Sequence, residues 1–387
     1  MLAGHLQIKN GYYYVVLSYM DSQGKRKQPW IPTNLPERGN KRRAEDLLLH
    51  YRQTYVPPVD LQNESDLSRN MLFANYMETW LETTRKSVEK TTFGSYSTIV
   101  KKGVAPYFRK LGVTVEDLQP RHLQTYYNKQ LADVSPRTVH HYHCVIHKAL
   151  KYLVRLDVIP SNPADRVELP KCNKYVADHY TEDELNHLFE VTKKHPLGLL
   201  IKVTAFYGLR RSEVLGLKWD AIDFENNTIT IKHIVTSTTI DGKQTLVAAD
   251  RAKTKSSLRT LPLLKEIKEE LIAHREKQIR NKELCGKSYN RKYEDYVFVN
   301  PIGDIYKPDT ITANFKNILK ANDMRIIRFH DLRHSCASLM FANDVPMKMI
   351  QEWLGHSDIG TTSNTYSHSE YKSKLRSAAV LGKALKI

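Results

Sequence analysis

The sequence contains few cysteines and no long apolar segment, and each absence excludes a class of protein. The four cysteines form no CxxC pair, which argues against a disulfide framework or a structural zinc site and suits a reducing cytoplasm. The longest apolar stretch, Leu197 to Leu209, is interrupted by Lys202 and is too short to span a bilayer. Residues 1–10 lack a basic start followed by an apolar run, so we expect no signal peptide. The cysteines are Cys144, Cys172, Cys285 and Cys336.

Motifs of the common hydrolase classes are also absent. Residues 286–288 are similar to the end of a phosphate-binding loop, but Asn281 stands where the first glycine of that loop belongs. Neither GxSxG nor HExxH occurs, and Asp220 and Asp223 have no third carboxylate patterned to hold magnesium. We therefore expect no nucleotide hydrolysis, no cofactor and no bound metal.

Positive charge, in contrast, is present in excess. The chain has 59 lysines and arginines against 42 acidic residues, a formal net charge of +17. Residues 1–60 carry nine basic and five acidic residues, residues 61–175 carry 17 and 11, and the remainder carries 33 and 26. Because the excess is spread over the whole chain, a polyanion contacted by every domain is the simplest explanation, and DNA is the first candidate. The alternative is that the charge serves solubility alone.

Hydrophobic patterning and two linkers predict a multidomain α+β protein. The segment around Pro57 and Pro58 and the segment 171–177 are typical of linkers. We predict a small three-stranded sheet plus helix over residues 1–57 and an all-α domain over residues 65–170. Residues 176–387 are predicted to form a mixed, mainly α domain with a small antiparallel sheet.

Two local signals lie within this last domain. Thr181 and Glu184 have the spacing of a capping box at a helix start, and Asp241-Gly242 is typical of a hairpin turn between two strands.

One long helix is predicted over residues 138–153, where apolar side chains make a single stripe. His143 and His147 lie four residues apart on this helix and could bind a metal. No carboxylate or cysteine lies at a spacing that would complete the ligand set. A helix that faces core or phosphate is therefore the better interpretation.

Two basic clusters mark the N-terminal domain and could contact DNA if its sheet lay in a groove. An ordinary hairpin with solvated lysines is an equally good interpretation of these residues alone. The clusters consist of Lys25, Arg26 and Lys27, and of Lys41, Arg42 and Arg43.

Three short motifs in the last domain combine basic and hydroxyl groups suited to a phosphodiester. Arg210 follows the glycine turn at Gly208 and stands at a predicted helix start. His330 and Arg333 are three residues apart and project from one helical face. Tyr366 follows Leu354-Gly355-His356 by ten residues. Each motif alone is weak, since Arg210 could equally form a surface ion pair with Glu213.

Together and in this order, the motifs resemble those of the tyrosine recombinase family, the integrases of temperate phages and conjugative transposons. The resemblance covers residues from about 176 to 370, and the helical domain resembles the family's SAM-like core-binding domain. Residues 1–57 are similar to the arm-binding sheet domain of the conjugative-transposon branch. The matching segments are TAFYGLRRSE (204–213), KTKSS (253–257), HDLRH (330–334), LGH (354–356) and Tyr366.

The residue types suit cleavage of a phosphodiester. Arg210 and Arg333 can bind the nonbridging oxygens by bidentate hydrogen bonds and stabilise a pentacoordinate transition state. The resemblance implies that Tyr366 is the nucleophile and leaves a 3′-phosphotyrosine bond and a free 5′-hydroxyl. His330 is the best candidate for general base, and His356 would hydrogen-bond the phosphate or orient the site.

Two further positions complete the predicted site. Lys253 is expected to protonate the departing 5′ oxygen, since a crowded cationic site lowers the pKa of a lysine. Lys255 is the alternative, because the sequence does not fix the register of this loop. Glu213 is predicted to orient an arginine rather than to carry a proton.

The resemblance implies a site-specific recombinase that integrates and excises a mobile element. A covalent link preserves the energy of the cleaved strand, so no ATP is needed. The expected partners are double-stranded DNA at core and arm sites, further copies of the chain in a homotetramer, and optionally an accessory excision factor. We expect a bacterial cytoplasmic protein that is nucleoid-associated when active, with no membrane partner.

Other protein classes share the predicted catalytic groups or the predicted fold. A chromosome-dimer resolvase or a type IB topoisomerase uses similar groups, and a non-catalytic DNA-binding protein would keep only the fold. The N-terminal sheet domain favours the integrase, because a resolvase needs only two domains. The tail 375–387 would dock on a neighbouring protomer, as the resemblance implies, or on its own domain.

Overall fold

A computed structural model describes residues 3–20, 26–55, 69–173, 178–250, 258–355 and 385. The chain divides into two units, of which one comprises residues 1–87 and 96–171 and the other comprises residues 88–95 and 172–387. The predicted fold class is confirmed, since the described residues form helices with small antiparallel sheets.

The first unit begins with an antiparallel sheet whose strand β2 pairs with the three other strands. Asn10 and Gly11 both have positive φ and form the tight turn between β1 and β2, as two-residue hairpin turns require. Helix α1 contacts β1 and β2. The sequence predicted three strands here, and the additional strand, β3, is only two residues long. The elements are β1 (Ala3–Lys9), β2 (Tyr12–Met20), β3 (Arg26–Lys27), β4 (Trp30–Pro36) and α1 (Lys41–Thr54).

The described residues 69–173 contain helices and no named strand. The apolar stripe predicted on the long helix is confirmed: Val139, Ile146, Ala149, Leu150 and Leu153 are buried, and Tyr142, its sixth member, is half-buried. A π-helical turn, Ile99–Val104, separates α3 from α4, and a 3₁₀ turn, Pro163–Arg166, follows α6. The helices are α2 (Phe73–Thr84), α3 (Lys90–Thr98), α4 (Ala105–Leu111), α5 (Pro120–Gln130) and α6 (Pro136–Arg155).

Three of the four histidines of α6 lie within hydrogen-bond distance of polar groups of the same chain. His147 Nε2 lies 2.7 Å from Asp165 Oδ1, and His143 Nδ1 lies 3.3 Å from the hydroxyl of Tyr127. His140 Nε2 lies 2.8 Å from the carbonyl oxygen of Pro170. Within the described part of the chain, no group of three histidine, cysteine or acidic side chains is arranged to hold a metal ion.

The second unit surrounds the buried helix α8. Its small sheet has the order β5-β6-β9, and β7 and β8 form a separate hairpin. The helices are α7 (Glu182–Thr192), α8 (Gly198–Tyr207), α9 (Arg211–Gly216), α10 (Lys265–Cys285), α11 (Pro308–Ala321), α12 (Asp331–Ala342) and α13 (Met347–Leu354). The strands are β5 (Ile222–Asp223), β6 (Thr228–Ile231), β7 (His233–Ile240), β8 (Lys243–Asp250) and β9 (Arg259–Pro262).

The predicted capping box and the predicted hairpin turn are both present in this unit. Thr181 caps α7 by accepting a hydrogen bond from the backbone of Glu184, and the Glu184 carboxylate accepts one from the Thr181 backbone in return. Asp241 and Gly242 form the predicted turn, both with positive φ. Among the described helices of the whole chain, none is long and apolar enough to cross a membrane.

Candidate active site

The site begins at the glycine that ends α8. Gly208 has a φ of 59°, and a Cβ atom added there would overlap Leu354 Cδ2 and lie 3.2 Å from Cys336 Sγ. Only glycine combines this left-handed conformation with so close an approach. The turn brings Arg210, in an extended conformation, to the N-cap position of α9.

Arg210 is held by a carboxylate one turn further along α9. Its Nη1 donates to Glu213 Oε1 over 2.7 Å, and its backbone N–H donates to Glu213 Oε2 over 2.9 Å. Glu213 is 1% exposed, whereas the side chain of Arg210 keeps 25% of its surface exposed. The carboxylate therefore holds the guanidinium, and part of the Arg210 side chain stays accessible.

A second arginine, which the sequence analysis did not identify, binds the same carboxylate. Arg259 donates from Nη2 to Glu213 Oε2 over 3.0 Å and from Nη1 to Oε1 over 3.4 Å. It is 8% exposed and is the first residue of β9. One signal was available, because the alternation of Arg259, Leu261 and Leu263 places the arginine on the inward face of the strand.

Arg333 is the third guanidinium of the cluster. It lies on α12, is 2% exposed, and donates to the carbonyl oxygens of Gly208 and Leu354, each over 2.7 Å. Its Nη1 is 4.0 Å from Glu213 Oε2. These bonds leave the guanidinium further N–H donors, because arginine has five.

Both motif arginines also hold the end of α13. Arg333 donates to the carbonyl of Leu354, and Arg210 Nη2 donates to the carbonyl of Gly355 over 3.2 Å. Since Gly355 has positive φ and ends the helix, its carbonyl would otherwise lack an intrahelical partner. The residue that follows is His356, so the arginine pair fixes the point from which that part of the chain departs.

The cluster as a whole is cationic, with the three guanidiniums of Arg210, Arg259 and Arg333 around one carboxylate. Burial alone would raise the pKa of Glu213, but the charge and hydrogen bonds of Arg259, followed by the charges of Arg210 and Arg333, lower this pKa to about 2. Burial, followed by the charge of Arg210, lowers the pKa of Arg333. The arrangement leaves a net positive charge suited to a bound anion.

His330 stands at the start of α12, beside Arg333. Its ring lies 5.3 Å from that of His334 between centroids. Desolvation, followed by the charges of His334 and Arg333, lowers the pKa of His330 to about 4. The residue as a whole is nevertheless exposed. The imidazole is therefore neutral near pH 7 and can accept a proton.

The structure thus brings Arg210, Glu213, Arg333 and His330 into one region, and Arg259 joins them. The predicted residues Lys253, Lys255, His356 and Tyr366 lie outside the described residues, as does Lys25 of the N-terminal domain. The five other basic residues of the two predicted clusters are described, and all are exposed: Arg26, Lys27, Lys41, Arg42 and Arg43. Arg26 Nε donates to Ser18 Oγ over 2.8 Å.

Two family models match this sequence. The model of the N-terminal SAM-like domain of phage integrases matches residues 72–131. The model of the phage integrase family itself matches residues 179–373, half of the chain, and this segment includes the whole cluster. The chain belongs to the phage integrase family. This integrase is an enzyme that cleaves and rejoins DNA strands, and the predicted family is confirmed.

Curated relatives carry the names of recombinases and integrases. The integrase is 28% identical over 336 residues to the tyrosine recombinase XerC-like protein of Caldanaerobacter subterraneus subsp. tengcongensis, a match that covers 81% of this chain and 83% of the relative. It is 25% identical over 306 residues to the ICEBs1 integrase of Bacillus subtilis, a match that covers 78% of this chain and 80% of the relative.

Solved structures share the fold. The Tn1549 transposon integrase in complex with a circular intermediate DNA superposes with a TM-score of 0.64 at 18% identity, covering 79% of this chain and 99% of the other. The lambda integrase tetramer bound to a Holliday junction superposes with a TM-score of 0.53 at 16% identity, covering 91% and 95%. At these identities the likeness establishes the fold.

Proposed function

We propose that this integrase recombines DNA at specific sites through a covalent 3′-phosphotyrosine bond, and that it integrates and excises a mobile element. The observation that supports this most strongly is the cluster in which Arg210 and Arg333 share the buried carboxylate of Glu213. A rigid cationic pair suits a phosphodiester, since the transition state concentrates negative charge on the nonbridging oxygens.

In this proposal the two arginines bind the scissile phosphate. The side chain of Arg210 keeps 25% of its surface exposed, whereas Arg333 is 2% exposed. Preorganised guanidiniums act without reorientation during the reaction, which is why such groups contribute much of the rate enhancement in charged transition states. Glu213 orients Arg210 and takes no part in proton transfer, because a carboxyl group with a pKa of about 2 stays ionised.

Proton transfers are assigned to the remaining polar residues. His330 accepts the proton of the Tyr366 hydroxyl as that oxygen attacks phosphorus, and its lowered pKa keeps it neutral for this role. Lys253 protonates the departing 5′ oxygen, with Lys255 as the alternative. His356, which follows the turn that both arginines hold, hydrogen-bonds the phosphate.

Assembly on DNA belongs to the same proposal. We assign arm-site contacts to residues 1–57, core binding to residues 65–170 and catalysis to residues 176–387, with the C-terminal tail docking in cis or in trans. Four copies act together, as in the lambda integrase tetramer on a Holliday junction. An accessory excision factor would set the direction of the reaction, and the bacterial cytoplasm is the proposed location. The N-terminal contacts are Lys25, Arg26, Lys27, Lys41, Arg42 and Arg43.

A chromosome-dimer resolvase is the second candidate, and the XerC-like relative favours it. The two functions differ in their need for the N-terminal sheet domain. A chain lacking residues 1–57 should still cleave core sites but should lose integration into DNA that carries arm sites. Unchanged integration by this shortened chain would favour the resolvase.

The chemistry itself is tested with a supercoiled plasmid that carries the junction DNA flanking the gene's own element. The protein is incubated with it in EDTA, the reaction is stopped with SDS, and protein-bound DNA is measured. We expect an adduct with the wild type and with Tyr371→Phe, and none with Tyr366→Phe. DNA binding without any adduct, even on a nicked suicide substrate, would instead indicate a non-catalytic DNA-binding protein.

A further inference from the structure

We propose that Arg259 is a positioning residue of the cleavage site, which holds the Glu213 carboxylate in place and thereby sets the direction in which Arg210 meets the phosphate. The inference rests on the function proposed above, since it gives Arg259 a purpose only where Arg210 binds DNA. Arg259 acts through Glu213 and needs no contact with the substrate.

The backbone explains why Arg259 can reach this carboxylate. Arg259, the first residue of β9, pairs with Ile231 of β6, and side chains along β9 alternate between inward and outward positions. The arginine therefore points into the unit together with Leu261, where Glu213 of α9 lies buried. A charged side chain at a buried position needs acceptors for its donors, and Arg259 finds them in the Glu213 carboxylate.

The hydrogen bonds divide the carboxylate between the two arginines. Oε1 accepts from Nη1 of Arg210 and of Arg259, while Oε2 accepts from the backbone of Arg210 and from Nη2 of Arg259. Each oxygen of Glu213 is thus held from both sides. If Arg259 were absent, the carboxylate could follow Arg210 when the phosphate draws that guanidinium away.

The hydrogen bonding of Arg259 supports the same assignment. Its Nε is buried and has no hydrogen-bond partner within the described part of the chain, while both Nη atoms bind Glu213. A buried donor without a partner is costly, so the side chain is not placed by a general fit to its surroundings. The pair with Glu213 determines its position.

The charge of Arg259 also affects the pKa of Glu213, so the pH dependence of cleavage can be measured in addition to its rate. Among the described residues, the charged groups that face Glu213 are Arg210 at the start of its own helix, Arg259 from β9 and Arg333 from α12. The charge of Arg259 is the largest of the influences that lower the pKa of Glu213 and oppose its burial. Removing it should raise this pKa, and protonated Glu213 no longer accepts two hydrogen bonds from Arg210.

The test uses Arg259→Met, Arg259→Lys and the double variant Arg259→Met/Glu213→Gln in the full-length protein. Arg280→Met is the matched control, because Arg280 lies at the surface in an exposed pair with Glu276. Binding to a nicked suicide substrate and the single-turnover rate of adduct formation are measured from about pH 5 to about pH 8. Circular dichroism checks that each variant is folded.

We expect Arg259→Met to bind DNA as the wild type does and to form adduct about tenfold to a hundredfold more slowly near pH 7. The rate should fall further as pH decreases, because Glu213 becomes protonated. Arg259→Lys should lie between the two, since it keeps the charge but not both hydrogen bonds. The double variant should be slow but should lose the acidic decline, because glutamine does not titrate.

Two results would overturn the proposal: a folded Arg259→Met with the wild-type rate and pH profile, or an acidic decline that persists in the double variant. If Arg259→Met does not fold, the charge-matched double variant and Arg259→Lys carry the test, and wild-type rates in both would also overturn it. Failure of the proposed function gives a different pattern, because the wild type and Arg280→Met would then form no adduct either.

Discussion

Replacing Glu213 by glutamine should destabilise the protein in a pH-dependent way. The pKa of Glu213 is about 2 in the folded protein against an ordinary value of 4.5. A pKa lowered on folding stabilises the protein above the unfolded value, and this stabilisation is lost as pH falls toward the folded value. The difference corresponds to about 3 kcal/mol near pH 7 and to about 1 kcal/mol near pH 3. Glu213→Gln should therefore lower the free energy of unfolding by about these amounts.

Urea denaturation followed by tryptophan fluorescence measures this effect at the two pH values. Glu276→Gln is the control, since Glu276 is 61% exposed in its pair with Arg280 and should change stability by less than about 0.5 kcal/mol. A Glu213→Gln loss that is equal at both pH values would refute the electrostatic account. A loss below about 1 kcal/mol near pH 7 would show that the arginines do not depend on this carboxylate.

Three further predictions concern the turn, the base and a buried thiol. Gly208→Ala should lower the free energy of unfolding by about 2 to 4 kcal/mol and slow cleavage, because the added Cβ overlaps Leu354. Gly242 has open space around it, so Gly242→Ala should lower the free energy of unfolding by about 1 kcal/mol. Equal losses of the two variants in urea denaturation would contradict the close approach to Leu354. Because the pKa of His330 is about 4, wild-type cleavage should show no inflection near the ordinary histidine pKa of about 6.5; an inflection there that disappears in His330→Gln would contradict this environment. Burial raises the pKa of Cys336 to about 12, so iodoacetamide should modify the exposed Cys144 and spare Cys336, as peptide mass spectrometry would detect; rapid modification of Cys336 would contradict its burial.

Features written in local sequence were predicted well. The capping box of Thr181 and Glu184 and the turn at Asp241-Gly242 depend on residues within four positions of one another, so their chemistry is visible in the sequence. The buried stripe of α6 follows from helical periodicity alone. The motif residues Arg210 and Arg333 were recognised by spacing and by resemblance.

Contacts between segments that are far apart in the sequence were not predicted. Arg259 lies 46 residues after Glu213, and nothing in the local pattern indicates that the two meet. The shared use of one carboxylate by three arginines depends on the packing of α9, β9 and α12. The carbonyls of Gly208 and Leu354 as partners of Arg333 were likewise not predictable, since backbone acceptors leave no trace in residue identity.

The covalent bond to DNA is the central claim, and its attachment site can be read by mass spectrometry. The wild type is trapped on a nicked suicide substrate, the DNA is digested with nuclease, and the protein is cleaved with trypsin. The peptide from Met349 to Lys372 contains both Tyr366 and Tyr371, and fragmentation distinguishes them. We predict a nucleotide on Tyr366. A nucleotide on any other residue, or an adduct that still forms in Tyr366→Phe, would contradict the account.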